Sequence, residues 1–371
     1  MYFLWILGQR RPPSKPGRGI PLSYNLYVTP GFATPDGCAR YVSGFPIARD
    51  HGFFRLVGDV QISSLGLGTY LGNPDEATDR SYHEAVLAAV RGGINHLDTA
   101  INYRNQRSER AIGSALAELF RTGEFRREDV MVATKAGFLT PGAVPSFLLS
   151  EDVLGNTHSV HPGFLSHQID RSRANLGLET LDVFYLHNPE TQLDFVERPE
   201  FERRMRLVFE KLEQLVAAGR IRWYGAATWN GFRLPPGSRE ALDLARLIEI
   251  ATEAGGPRHH FRFIQLPFNL AMPEAFSNGL LDQAAQCGIT VVASASLLQA
   301  RLARDLPEAL AEKFPGLATA AQRSIQFTRS TPGVSIALVG MSRAAHVVEN
   351  LQLTAVPPLA PDVYRGLYPR A

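Results

Sequence analysis

The chain has 371 residues, 45% of them hydrophobic and 20% charged, a balance that excludes general disorder and provides for a full core. Lys and Arg number 38 against 36 Asp and Glu, and this net charge of +2 excludes a counterion-release binder of nucleic acid and a polybasic membrane surface. Two cysteines, Cys38 and Cys287, are too few for a disulfide framework, so a reducing, cytoplasmic setting is expected.

The chain opens on an apolar Met-Tyr-Phe-Leu-Trp-Ile-Leu, but the run is short and its positive charges follow it, so it does not read as a signal peptide. No stretch approaches the roughly 18 apolar residues of a membrane span. Residues 1–53 carry Pro12, Pro13, Pro16, Pro30 and Pro35 among several glycines, with little periodicity, and are expected to form a partly irregular N-terminal arm. Residues 54–371 read as one further domain. Its β-rich runs fall at 65–69, 94–98, 130–135, 183–187, 221–228, 263–266, 289–294 and 335–339, eight in all. Between them lie amphipathic segments with start and stop signals. Ser81 and Glu84 read as a capping box opening a helix that Gly92 and Gly93 close. Phe201, Met205, Val208, Phe209, Leu212, Leu215 and Val216 share one face of a helix that stops at Gly219. Strand followed by helix, repeated in this way, implies parallel strands joined by crossovers and predicts a (β/α)8 TIM barrel with an N-terminal extension.

In such a barrel the chemistry sits at the C-terminal ends of the strands. Asp98, Lys135 and His187 each fall at the end of an expected strand, and Tyr103 lies in the loop after the second. A phenol is a poor proton donor to a carbonyl oxygen unless a fixed cation stabilises its phenolate. Lys135 is the candidate cation, Asp98 the partner that keeps it charged, and His187 a second donor to the same oxygen. Together they describe a site that protonates a carbonyl while another group delivers a hydride.

Ordered motifs extend this reading. Gly66-Leu-Gly-Thr69, Asp98-Thr-Ala-Ile-Asn-Tyr103, Ser108-Glu-Arg-Ala-Ile-Gly113, the Lys135 that ends Val-Ala-Thr-Lys, Asp182-Val-Phe-Tyr-Leu-His187 and the closing Gly340-Met-Ser-Arg-Ala-Ala-His-Val-Val-Glu-Asn350 occur in turn. In them the chain resembles the aldo-keto reductase family over about residues 54 to 351. The resemblance implies a small-molecule aldehyde or ketone as substrate, Tyr103 as general acid, Lys135 and Asp98 as its tuning pair, and His187 as the substrate-orienting group. It also implies NADP(H) bound without a Rossmann fingerprint. Arg343 and His346 would face the 2′-phosphate, Glu349 and Asn350 the adenine, and Gln265 the nicotinamide amide, with Thr69, Asp98, Gly340 and Ser342 also bordering the cofactor. Two positions depart from the family pattern. Ala227-Thr228 stands where the family has S-N, leaving Thr228 or Asn230 as replacements, and Ser294 stands where an aromatic ring stacks on the nicotinamide.

Other features read more blandly. The glycines from Gly66 to Gly72 are off the G-x-G-x-x-G spacing and no helix signal follows. His96 is expected to be a hydrogen-bonded histidine of the barrel interior, His158 and His161 a solvated loop, and His259 and His260 a surface loop; no metal site is expected. Tyr70 and Asn188 are candidate pocket residues, Cys287 a buried inert thiol, and Arg301 and Arg304 solvated cations. Two other readings remain at this point: a nicotinamide-binding regulatory module with the reductase fold, and a Schiff-base barrel using Lys135.

Overall fold

A computed structural model of the chain describes residues 28–304, 306 and 310–367. The prolines at 12, 13 and 16 lie outside the described residues. Ten strands follow in chain order: β1 (Phe54–Val57), β2 (Val60–Ser63), β3 (Leu65–Gly68), β4 (His96–Asp98), β5 (Met131–Ala136), β6 (Leu181–His187), β7 (Ile221–Ala227), β8 (Phe261–Pro267), β9 (Thr290–Ser294) and β10 (Val334–Gly340). Strands β3 to β10 close into a barrel, with β10 pairing back onto β3. Every pairing in it is parallel, with helices between, as expected of a (β/α)8 barrel.

Burial explains the layers. Met131, Ala133, Val183, Tyr185, Phe263, Val292, Ile336 and Leu338 fill the barrel, and Val57, Val60 and Ile62 of the β1–β2 hairpin join the same cluster. The hairpin therefore plugs the N-terminal end, leaving the C-terminal end as the open one. A second, larger cluster lies between sheet and helices. Helix Arg198–Ala217 contributes Phe201, Met205, Val208, Phe209, Leu212 and Leu215, the expected face, at about 1.5–3 kcal/mol for each large side chain removed from water. Strand β4 begins two residues later than expected because Asn95 is used elsewhere. Its side chain accepts from Ser63 N at 2.8 Å and donates to Gln61 O and Asp129 O at 3.1 Å, binding the hairpin to the barrel.

Two expectations change. The helix before β4 runs from Glu76 to Arg91 and is capped by Asp75, whose carboxyl accepts from Thr78 N at 2.8 Å. Ser81 and Glu84 lie inside it, and the Ser81 hydroxyl instead donates to Ser342 O. The described part of the N-terminal segment is also more regular than its prolines suggested. It forms helices Pro35–Ser43 and Pro46–Asp50, with each proline at a helix start, where a fixed φ helps and a missing N–H costs nothing. Gly37 lets the first helix touch residues 127–129, since a Cβ there would lie 2.3 Å from Glu128 O. Buried Asp182 then ties this segment to the barrel, accepting from Ala33 N at 2.7 Å, Val132 N at 2.8 Å and Arg127 at 2.6 Å. No described helix is long and apolar enough to cross a membrane.

Candidate active site

Three neighbouring strands deliver the expected groups to one place. Asp98 closes β4, Lys135 stands one residue from the end of β5, and His187 closes β6. After Asp98 the chain keeps following β5, with Thr99 N bonded to Ala133 O at 3.0 Å and Ile101 N to Lys135 O at 3.1 Å. It then turns through Arg104, Asn105 and Gln106, three successive non-glycine residues at positive φ. That backbone is costly and persists only when over-determined. Here Gln106 N bonds Ile101 O at 2.9 Å, and Arg104 bonds Asn73 O at 2.9 Å, pairs with Asp79 and lies over the Tyr82 ring. Tyr103 is fixed by this turn.

The buried Lys135 ammonium donates to the Asp98 carboxylate and, at 2.8 Å, to Thr99 O. The second Asp98 oxygen accepts from Gln265 Nε2 at 2.8 Å. Lys135 Nζ stands 5.0 Å from the centre of the Tyr103 ring, and the His187 ring meets that ring edge-on at 5.7 Å. Burial pushes the Lys135 ammonium down, and Asp98 opposes the shift. Burial, followed by the Asp98 charge, raises the Tyr103 phenol well above its ordinary value, the opposite of the lowering expected from Lys135 and Asp98 as its tuning pair. Burial, then Lys135 and His158, hold His187 well below the usual histidine range. At neutral pH the site therefore presents a protonated phenol and a neutral imidazole beside an ion pair, which is a proton donor and a hydrogen-bond donor set around one small volume.

Tyr70 is 56% exposed and packs edge-on against Tyr103 at 5.0 Å, so it sits on the rim of this cluster. Asn188 follows His187 at φ 49° and donates its N–H to Ala227 O at 2.7 Å. Thr69 donates to Asp98 O at 3.3 Å. Register carries the rim onward: Gly340 pairs with Gly68, which pairs with Asp98. Beyond Gly340, Ser342 and Arg343 lead into helix Ala344–Asn350. A Cβ on Gly340 would meet nothing within 4 Å. Arg343 and His346 are exposed, and among the described residues Arg343 has no carboxylate partner. Glu349 is half-buried, whereas Asn350 is buried with its Oδ1 unbonded and its Nδ2 on Met341 Sδ at 3.4 Å. A guanidinium, an imidazole and a spare amide oxygen beside an open glycine suit an anionic ligand that also carries an N–H edge.

The departures from the family pattern can be followed here. Ala227 is buried, the Thr228 hydroxyl is buried without a partner, and the Asn230 amide is already bound to Glu240 at 3.1 Å. Of the two candidate replacements, Thr228 is the one whose polar atom is buried and without a partner.

Several bland readings are corrected. His158 is fully buried behind His187, not in a solvated loop, and burial lowers it to about 4. His96 is inside the barrel as expected, but neither ring nitrogen has a partner, and burial lowers it to about 4. His259 is buried and His260 is bound to Glu213 at 2.7 Å. Cys287 is exposed, and Cys38 is the buried thiol. His161, Arg301 and Arg304 are exposed. Glu190 was not singled out. It is buried in the loop after β6, accepts from Trp229 N at 2.9 Å and Asn230 N at 3.2 Å, and is raised by burial to about 7. No group of three or more His, Cys, Asp or Glu among the described residues could hold a metal ion.

The fold and this rim define a TIM-barrel protein with a Tyr-Lys-Asp-His cluster at its open end. A family model described as the aldo/keto reductase family matches residues 64–367, and the chain belongs to that family. A Schizosaccharomyces pombe protein named as a putative voltage-gated potassium channel subunit beta is 24% identical over 85% of this chain and 92% of its own length. Aldose reductase B of Dictyostelium discoideum is 31% identical, over 37% of this chain and 36% of its own length. Among solved structures, an aldo/keto reductase from Klebsiella pneumoniae in complex with NADP and acetate superposes with a TM-score of 0.61 at 21% identity, over 84% of this chain and 93% of that one.

Proposed function

We propose that the chain is an NADP(H)-dependent oxidoreductase that reduces an aldehyde or ketone to an alcohol. The observation that carries the reading is the convergence of Lys135, Asp98 and His187 on Tyr103, with the ammonium 5.0 Å and the imidazole 5.7 Å from the centre of its ring. When bound, the nicotinamide nucleotide supplies the hydride. Tyr103 gives its phenolic proton to the carbonyl oxygen as that oxygen becomes basic, so carbon gains the hydride, oxygen gains the proton, and the phenolate regains a proton from water. A phenol raised by burial keeps its proton until the carbonyl oxygen turns basic, and the Lys135 ammonium, 5.0 Å from the ring centre, is the cation beside the phenolate left behind. His187 donates to the same oxygen and fixes its direction, while Tyr70 and Asn188 border the substrate.

The residues that would hold the nucleotide are Arg343 and His346 toward the 2′-phosphate, Glu349 and Asn350 toward the adenine, and Gln265 toward the nicotinamide amide. Thr69, Asp98, Gly340 and Ser342 would line its path. The unbonded Asn350 oxygen and the open Gly340 support this fit, as does the NADP held by the Klebsiella pneumoniae relative.

The test is NADPH oxidation against a chemically varied panel of aldehydes and ketones, with NADH as comparator. Turnover is expected with NADPH, falling about 10²- to 10⁴-fold in Tyr103→Phe while NADPH still binds by fluorescence titration. NADPH binding without turnover of any panel member would instead support the second reading, a nicotinamide-binding regulatory module. That reading is favoured by Ala227 and Ser294 and by the potassium-channel beta name of the S. pombe relative.

A further inference from the structure

We propose that His158 is a positioning residue for His187, an inference that rests on the reductase reading for its catalytic consequence but not for its geometry. Residues 138–161, between β5 and the next helix, bring His158 beneath the end of β6. Each polar orientation there is forced by its neighbour. Arg204 can only donate, and its Nη1 lies 2.8 Å from Gln192 Oε1. The Gln192 amide nitrogen is thereby turned to His158 Nδ1, also at 2.8 Å. An amide NH2 only donates, so Nδ1 carries no proton. The ring proton is on Nε2, which donates to His187 O at 2.8 Å. With burial holding the ring neutral, one tautomer satisfies every partner.

Two further observations show that the backbone makes room for this contact. A Cβ on Gly137 would lie 2.7 Å from both His158 Nε2 and His187 O, on top of the hydrogen bond. The Phe138 ring stands edge-on to His158 at 5.0 Å and to His187 at 5.1 Å, so it wedges the two imidazoles in fixed relation. The bond is made where the chain leaves β6, with Asn188 at φ 49°. The bond holds the carbonyl of the residue whose ring faces Tyr103, and Phe138 packs against both imidazoles, so His158 restrains the backbone and the ring of His187 together. A chain of donors running from Arg204 through Gln192 thus sets the aim of the imidazole at the mouth.

The test uses the full chain with NADPH and a carbonyl that the wild type reduces. His158→Phe keeps a ring but neither bond, Gly137→Ala displaces the ring, and His158→Gln returns a donor toward His187 O. His158→Phe and Gly137→Ala are expected to lower kcat by about ten- to a hundredfold, the scale of an ångström of misplacement, with the Kd for NADPH unchanged. His158→Gln is expected to recover most of the loss. A folded His158→Phe with wild-type kcat, or a His158→Gln no better than His158→Phe, overturns the proposal. Histidine ¹⁵N spectra give a readout independent of turnover, and those of the wild type are independent also of whether the variants fold. The wild type is expected to hold His158 as the neutral Nε2–H tautomer at neutral pH, and the His187 ring signals are expected to move in Gly137→Ala. A charged or Nδ1–H His158 defeats the proposal whether or not any carbonyl is reduced. Spectra as expected from a chain that reduces nothing would count against the reductase reading alone.

Discussion

Glu190 offers the sharpest quantitative test of the site's surroundings. Its Oε1 receives the N–H groups of Trp229 and Asn230, its Oε2 is buried without a partner, and burial raises the carboxyl from an ordinary 4.5 to about 7. Between those two pH values the unfolded chain has lost the proton and the folded chain still holds it, so stability falls as pH rises through the window and is level above about 7. The shift corresponds to about 3 kcal/mol, at roughly 1.4 kcal/mol per pH unit. Glu190→Gln keeps an oxygen for the two backbone donors and removes the titration. Its new N–H replaces an unpartnered oxygen and costs about 1–3 kcal/mol at every pH, so the prediction concerns the difference between pH values and not the offset. Urea unfolding of both proteins at pH 4.5 and pH 8 measures it. Relative to wild type, the variant should gain about 3 kcal/mol between the two conditions. Buried histidines such as His158 pull stability the other way on acidification, but they are common to both proteins and cancel. A difference that stays flat, or one of opposite sign, refutes the reasoning.

Three other outcomes follow from the same geometry. Asp98→Asn leaves the Lys135 ammonium buried without its counter-charge and should cost about 3–5 kcal/mol in urea unfolding, most of it recovered by adding Lys135→Met; a cost below about 1 kcal/mol would mean that the ion pair does not hold the cluster. A thiol reagent should label exposed Cys287 in the native protein and reach Cys38 only through unfolding, because burial and the nearby Asp182 and Asp129 push that thiol up to about 12; equal labelling rates would contradict the buried placement. Gly37→Ala forces a Cβ toward Glu128 O and should destabilise by about 1–3 kcal/mol through overpacking, with the helix at Pro35–Ser43 becoming the first protease-sensitive segment; unchanged stability and cleavage would show that this helix is not clamped to residues 127–129.

What could be read from the sequence and what could not divides along a physical line. Strands β3 to β10 were legible because a barrel strand is buried on both faces and reads as a short apolar run, with a helix and its stop signal after it. Asp98, Lys135 and His187 were legible for the same reason: a reactive side chain ending an apolar run has its position in space set by the strand alone. His158 had no such anchor. Its partners, His187 and Gln192, are 29 and 34 residues away and meet it only because a long loop folds back under the mouth. The one local signal was Gly137, at the end of β5, where a side chain would have blocked that approach. Glu190 was hidden in the same way, since its donors Trp229 and Asn230 lie across the gap between β6 and β7.

The prolines misled for a different reason. Pro35 marks loop and helix start equally well, and the cap on Thr34 and the packing of Cys38 and Tyr41 decide for the helix. Side chains at strand ends are therefore written in local pattern, while His158 and Glu190 are placed by contacts between segments that no local pattern records.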